Sequence, residues 1–203
     1  MEEIFHKKIL NTHIYVWKMT SSYEDQIKNP LLKSAEVISA KELKNKKRKK
    51  EFLSSRIALK KIFNKELELK YHKSGKPFIE EAKHLSISHS SDFLAIAFGE
   101  ENIGVDIEKP QNRMIKLMPK ILSEIELMEF ENEPSIDFAC KLWGIKESIL
   151  KYIGDKNLNY KEDINVDTIS LDIAKYLNMT FKVEFEKIED MILTYVVSND
   201  KPE

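Results

Sequence analysis

The 203 residues suffice for one large domain or two small, closely packed ones around a sizeable core. With 33 Lys+Arg against 34 Asp+Glu the net charge is -1, so bulk charge points to neither a nucleic-acid nor a membrane partner, and 42% hydrophobic with 33% charged residues is the balance of a soluble globular protein. The single cysteine, Cys140, excludes an internal disulfide framework and a cysteine-built zinc site, and reads as a buried, inert thiol. No apolar run approaches the ~18 residues of a membrane span, and the first eight residues lack a signal-peptide core, so a cytoplasmic location is expected.

Residues 13–19 alternate and are rich in β-branched and aromatic side chains, which predicts a first strand. Ser39-Ala40-Lys41-Glu42 fits a capping box and predicts a helix opening there and running to about Phe63. Phe52, Leu59, Ile62 and Phe63 keep its helical spacing, and Lys46, Lys47, Arg48, Lys49 and Lys50 make a face that is ordinarily just solvated. Residues 69–72 read as a short strand before a Ser74-Gly75 turn. Residues 85–88, 93–98 and 103–108 read as three consecutive strands of an antiparallel meander. Residues 117–130 then form one candidate helix. A second runs from Pro134, in a first turn, through Ile153 to a stop at Gly154, with Phe138, Leu142, Ile145, Ile149 and Ile153 as its core stripe. Phe181, Val183 and Phe185 alternate, residues 191–197 form another strand, and the chain closes in a hairpin. These elements alone define an α+β protein.

Two segments carry chemistry. In Gly104-Val105-Asp106-Ile107-Glu108, strand alternation puts Asp106 and Glu108 on one face, roughly 7 Å apart at the backbone, with Val105 and Ile107 turned to the core. In Trp143-Gly144-Ile145-Lys146-Glu147-Ser148-Ile149-Leu150-Lys151, helical geometry puts Glu147 and Lys151 one turn apart, off the core stripe and free to face a cleft. Singly, each is an ordinary solvated strand face or helical ion pair. Together, three carboxylates with lysines beside them suit a hard divalent cation and a phosphate-bearing substrate.

Spaced about 40 residues apart, and preceded by Gly75-Lys76-Pro77 and Ser88-His89-Ser90, these segments resemble the 4′-phosphopantetheinyl transferase superfamily, in its Sfp-type, two-subdomain monomeric form. The family signature G-[IV]-D-x-E followed by W-x-x-K-E-x-x-x-K is complete. The resemblance implies an α+β fold of two similar subdomains with pseudo-twofold symmetry, each an antiparallel sheet packed with helices, divided here as residues 1–101 and 102–203. It implies a holo-[acyl-carrier-protein] synthase type of enzyme, which moves the 4′-phosphopantetheine group of coenzyme A onto a serine of an apo acyl or peptidyl carrier protein and releases adenosine 3′,5′-bisphosphate. Mg²⁺, or alternatively Mn²⁺, would be bound by Asp106, Glu108 and Glu147. Glu147 would take the serine proton, directly or through a water, and Lys151 would offset charge on the leaving phosphate. Lys146 would support the same oxygens or point to solvent.

By the same resemblance Arg56 and His89 contact the 3′-phosphate of coenzyme A, with Arg48 as a looser match; Gly75, Lys76 and Pro77 line the adenine side, and Ser88 is a further cofactor-binding residue. Many members have Asn where this chain has Ser86. The carrier is expected to dock after the metal strand, where Met114, Ile115, Leu117, Met118, Ile121 and Leu122 either form an exposed apolar patch beside Lys116 and Lys120 or pack in the core. Two other readings compete. A metal-dependent nuclease or phosphohydrolase would call for more basic surface and leaves the Gly-Lys-Pro and Ser-His-Ser segments unexplained. A non-catalytic coenzyme A or carrier-binding module would be expected to lack a metal carboxylate or the late lysine, and neither is missing.

Overall fold

The computed structural model describes residues 1–198. The chain opens with a hairpin of β1 (Glu2–Ile9) and β2 (Thr12–Lys18). β2 is the predicted first strand. β1 was not foreseen, because it is an edge strand whose wet face, including Glu2, Glu3, His6 and Lys8, hides the apolar alternation. A short α1 (Tyr23–Gln26) leads to α2 (Ser34–Glu42) and the long α3 (Lys46–Phe63). Here the structure corrects the capping-box reading: Ser39 lies inside α2, which ends at Glu42. The long helix starts instead at Asn45, whose side chain accepts from the amides of Lys47 and Arg48 at 2.8 and 3.4 Å.

β3 (Lys70–Tyr71) and β4 (Pro77–Phe78) form a small ladder around the Ser74-Gly75 turn, and β5 (His84–Ser90) and β6 (Phe93–Gly99) form a hairpin. The first sheet has the order β1-β2-β6-β5. The expected meander stops there. β7 (Gly104–Glu108) pairs with the last strand among the described residues, in a second sheet. β6 is already hydrogen-bonded on both edges, and β5 meets β7 through side chains: the Ser86 hydroxyl accepts from the Val105 amide at 3.1 Å, Ser88 donates to Asp106 at 2.7 Å and Ser90 to Glu108 at 2.7 Å.

After a short α4 (Asn112–Ile115), the single helix expected over 117–130 is two short ones, α5 (Met118–Ile121) and α6 (Glu124–Asn132). Pro119 lies in the first turn of α5, and Ser123 with Glu126 forms a capping box that starts α6. The apolar segment is core: Met114, Met118, Ile121 and Leu122 are buried and Ile115 and Leu117 partly so, which removes the predicted docking patch. α7 (Ile136–Ile153) follows as predicted, except that Ser135 caps it and Pro134 lies outside its first turn; Gly154 ends it at φ 75°. The remaining elements are α8 (Tyr160–Asp163), β8 (Ile164–Val166), β9 (Ile173–Tyr176), β10 (Met179–Ile188) and β11 (Met191–Ser198). The second sheet has the order β7-β11-β10-β9-β8, and residues 199–203 lie outside the described part.

The two sheets pack face to face, with α3 and α7 on their outer faces. Ile14, Val16, Ala95 and Ala97 of the first sheet meet Val105, Ile107, Leu193 and Tyr195 of the second. Ala58 and Leu59 of α3 cover Trp17, Leu94 and Ile96; Leu142, Ile145 and Ile149 of α7 cover Phe181, Ile192 and Val196. One connectivity occurs twice: a strand, helices, then a hairpin whose second strand pairs with the first strand (β2-β6-β5 and β7-β11-β10). The architecture is α+β, with antiparallel sheets packed by helices. Among the described residues no helix is long and apolar enough to cross a membrane.

Candidate active site

Alternation along β5 divides its side chains between two tasks. Leu85, Ile87 and His89 face α3, whereas Ser86, Ser88 and Ser90 face β7. On the far side of β7, α7 comes unusually close: a Cβ on Gly104 would collide with the Ser148 carbonyl. That approach brings Glu147 and Lys151 over Asp106.

Asp106 is almost fully buried. Its Oδ1 accepts from Ser88 Oγ at 2.7 Å and from Lys151 Nζ at 2.5 Å, while its Oδ2 is buried without a hydrogen-bond partner among the described residues. Lys151 also donates to Ser88 Oγ at 2.8 Å, and its ammonium lies 4.0 Å from Glu147 Oε2. Glu147 Oε1 accepts from the Tyr160 hydroxyl at 2.5 Å, and Glu108 lies 3.9 Å from Arg113. Burial, then the charge of Asp106, raises the Glu108 carboxyl above its ordinary range. Burial also raises Glu147, against the pull of Lys151 and with the push of Asp106. Three hard oxygen donors, two pushed toward their neutral forms and one with an orphaned buried oxygen, fit a divalent cation of the Mg²⁺ type. Among the described residues no three acidic, imidazole or thiol side chains converge as a ready-made metal cage.

Lys151 also lines an adjoining cleft of about 630 Å³ between α3, the Gly75 turn and the end of α7. Arg48, Lys76, Lys151 and Lys156 supply positive charge there, while Phe52, Tyr71, Pro77, Ile87 and Leu150 supply apolar wall. Gly75 has φ 86°, and a Cβ there would lie 2.6 Å from Lys156 Cε, so the turn and the segment after α7 interlock. Lys76 Nζ donates to the Tyr152 carbonyl at 2.5 Å and lies 3.3 Å from Asn102 Oδ1; burial lowers its pKa. His89 Nε2 is 2.8 Å from Ser55 Oγ, which donates on to the Glu51 carbonyl. Burial, then the charges of Lys151 and Arg48, pushes that imidazole down to about 3.

Two predicted site residues stand elsewhere. Arg56 is buried behind the cleft wall, its guanidinium 3.3 Å from the Phe52 ring centroid and its Nε 3.8 Å from Glu36. Lys146 turns away from the carboxylates and is fully buried, donating to Glu126 at 2.7 Å and to the carbonyls of Tyr160 and Ile164 at 2.8 and 2.9 Å. It neither supports the site oxygens nor reaches solvent. Tyr160 went unforeseen, since nothing local marks it. Ser90 was readable, because its alternation with Ser88 matches that of Asp106 with Glu108. Cys140 is buried, and its thiol is pushed up to about 12 by burial and by Glu108 and Asp106.

Residues 102–195, from β7 through Tyr195, match the model of the 4′-phosphopantetheinyl transferase superfamily. The chain is 30% identical over 96 residues to 4′-phosphopantetheinyl transferase gsp of Aneurinibacillus migulanus, covering 46% of this chain and 40% of that protein. It is 33% identical over 85 residues to 4′-phosphopantetheinyl transferase Sfp of Bacillus subtilis (strain 168), covering 39% and 38% respectively. The alignments thus span about two fifths of the length of these relatives. With its α+β fold and complete signature, the chain is similar over residues 102–195 to the 4′-phosphopantetheinyl transferase superfamily.

Proposed function

We propose that this chain is a holo-carrier-protein synthase, transferring 4′-phosphopantetheine from coenzyme A to a serine hydroxyl of an apo acyl or peptidyl carrier protein. The observation that carries this reading is the double reach of Lys151, which lines a cationic cleft of nucleotide size and is bonded to the buried Asp106. A Mg²⁺ or Mn²⁺ ion held by Asp106, Glu108 and Glu147 would supply charge neutralisation on the pyrophosphate. The serine oxygen forms its bond to the phosphorus bearing the pantetheine arm, the bridging P–O bond breaks, and adenosine 3′,5′-bisphosphate leaves. Glu147, whose carboxyl burial raises above its ordinary range, takes the serine proton directly or through a water. Lys151 offsets charge on the leaving phosphate. Arg48 and Lys156 face the nucleotide phosphates, the Gly75-Lys76-Pro77 turn lines the adenine, and His89 hydrogen-bonds the 3′-phosphate. Arg56 acts through Phe52 rather than by contact. Residues 1–101 and 102–203 are read as two subdomains of one cytoplasmic monomer, the first forming most of the cofactor wall and the second bearing the acids.

Intact-mass measurement of apo acyl and peptidyl carrier proteins with coenzyme A and Mg²⁺ tests this. Each carrier served gains one phosphopantetheine, and Asp106→Ala abolishes the gain while the protein still unfolds cooperatively. Hydrolysis of coenzyme A without carrier modification would favour a phosphohydrolase, and full transfer by Asp106→Ala would remove the proposed metal site.

A further inference from the structure

Three side chains from one stretch of α7 end on a single residue of the next element. The Trp143 ring lies 5.9 Å from the Tyr160 ring, centroid to centroid, at a 51° tilt. The Lys146 ammonium donates to the Tyr160 main-chain carbonyl at 2.8 Å. Glu147 Oε1 accepts from the Tyr160 hydroxyl at 2.5 Å. Tyr160 is thereby held by its backbone, its ring and its hydroxyl. Asn159, accepting from the Lys161 amide at 3.0 Å, caps the short helix that begins at Tyr160.

Burying an ammonium with no exposure at all is a costly way to tether a loop. The tether has a geometric consequence. A carboxylate on a two-methylene stem can swing and rotate. With Oε1 taken by a fixed phenol, the plane of the Glu147 carboxylate is set and Oε2 is left on the side of the Lys151 ammonium, which itself holds Asp106. We infer that Tyr160 is a positioning residue for Glu147, and that Trp143 and Lys146 act on the reaction only through it. This deepens the transferase reading and rests on it for the part Glu147 plays. It also accounts for Lys146, which the signature carries but which does not reach the reacting atoms.

Tyr160→Phe isolates the hydroxyl, since the ring against Trp143 and the carbonyl bound by Lys146 remain. Mn²⁺ binding to the whole protein, followed by calorimetry, is the first readout, and steady-state transfer is the second. Groups that orient a metal-ligating carboxylate typically matter by about 10–100-fold. The variant is expected to bind Mn²⁺ about tenfold more weakly and to lose about ten- to hundredfold in kcat, with the KM for coenzyme A unchanged. In a Glu147→Ala background the same substitution is expected to leave Mn²⁺ affinity unchanged, because its target is gone. Equal loss in both backgrounds would reduce Tyr160 to a structural role, and unchanged affinity and kcat in Tyr160→Phe would overturn the inference outright. Wild-type protein that binds Mn²⁺ but transfers nothing would end the transferase reading alone, leaving the metal titration to decide on Tyr160. Wild-type protein that binds no Mn²⁺ would end both.

Discussion

α3 and α7 are each 18 residues long, and each buries a lysine against a glutamate on the helices before it. Lys60, 2% exposed, lies 2.7 Å from Glu36 of α2 and 2.7 Å from the Leu31 carbonyl. Lys146 lies 2.7 Å from Glu126 of α6 and close to two carbonyls. The device is the same, but its surroundings differ. Beside Lys60, Arg56 shares Glu36 and stacks on Phe52, so charge in the first half props up a cleft wall. Beside Lys146, Glu147 and Lys151 point the other way, onto Asp106. One framework, used twice, gathers a carboxylate and a lysine over an aspartate only where a strand with alternating carboxylates lies beneath the helix.

Replacing each lysine by methionine breaks the comparison most severely. Removing one partner of a buried ion pair typically costs about 3–5 kcal/mol, because the other charge is left uncompensated. Lys146→Met should lie near the top of that range, since Glu126 is 2% exposed, whereas Lys60→Met should cost less, because Glu36 keeps Arg56. Urea unfolding measures both. Per folded molecule, Lys60→Met should keep its transfer rate and Lys146→Met should lose rate through Tyr160. A reversed order would mean the two buried pairs are not comparable.

The second contrast lies within the first half. Arg48 lines the cleft with His89, and Arg56 stands behind it. Charge-assisted contacts to phosphate are worth roughly 1.5–3 kcal/mol, about ten- to hundredfold in affinity. Arg48→Ala should therefore weaken coenzyme A far more than 3′-dephospho-coenzyme A, with His89→Asn doing so to a smaller degree. Arg56→Met should weaken both ligands alike and lower stability. Selective loss by Arg56→Met in equilibrium binding would return it to direct phosphate contact.

Much of this was legible because it rests on local periodicity. The alternation of Asp106 with Glu108 and the i, i+4 spacing of Glu147 and Lys151 are properties of one strand and one helix, and both survive folding unchanged. What the sequence withheld depends on partners far along the chain. β7 alternates like a third meander strand, and only its pairing with β11, more than 80 residues later, assigns it to the other sheet. Lys146 and Lys151 look equivalent as lysines flanking Glu147, yet the 100° step of the helix sends one into the core and the other to the cleft. Met114 and Met118 exceed what one helix face can bury, but three short helices bury them on several faces.

The smallest effect concerns acid. His89 in the folded protein is pushed down to about 3 by burial and by Lys151 and Arg48, against an ordinary value of 6.5. Below about pH 6.5 the unfolded chain gains a proton that the folded chain refuses until about pH 3, so stability falls as pH drops through that window. At about 1.4 kcal/mol per pH unit, the loss is about 2 kcal/mol at pH 5. Glu108 and Glu147, both raised in the fold, act in the opposite sense: the folded state keeps their protons to higher pH and gains stability on acidification. Those two contributions are common to wild type and His89→Asn and largely cancel in the difference between them. Urea midpoints at pH 7 and pH 5 should therefore converge in the variant relative to wild type. Coenzyme A should shrink the wild-type acid loss as well, because a phosphate beside the imidazole raises its pKa toward the unfolded value. If coenzyme A narrows the gap and 3′-dephospho-coenzyme A does not, the 3′-phosphate lies at His89; equal narrowing by both would move that phosphate elsewhere in the cleft.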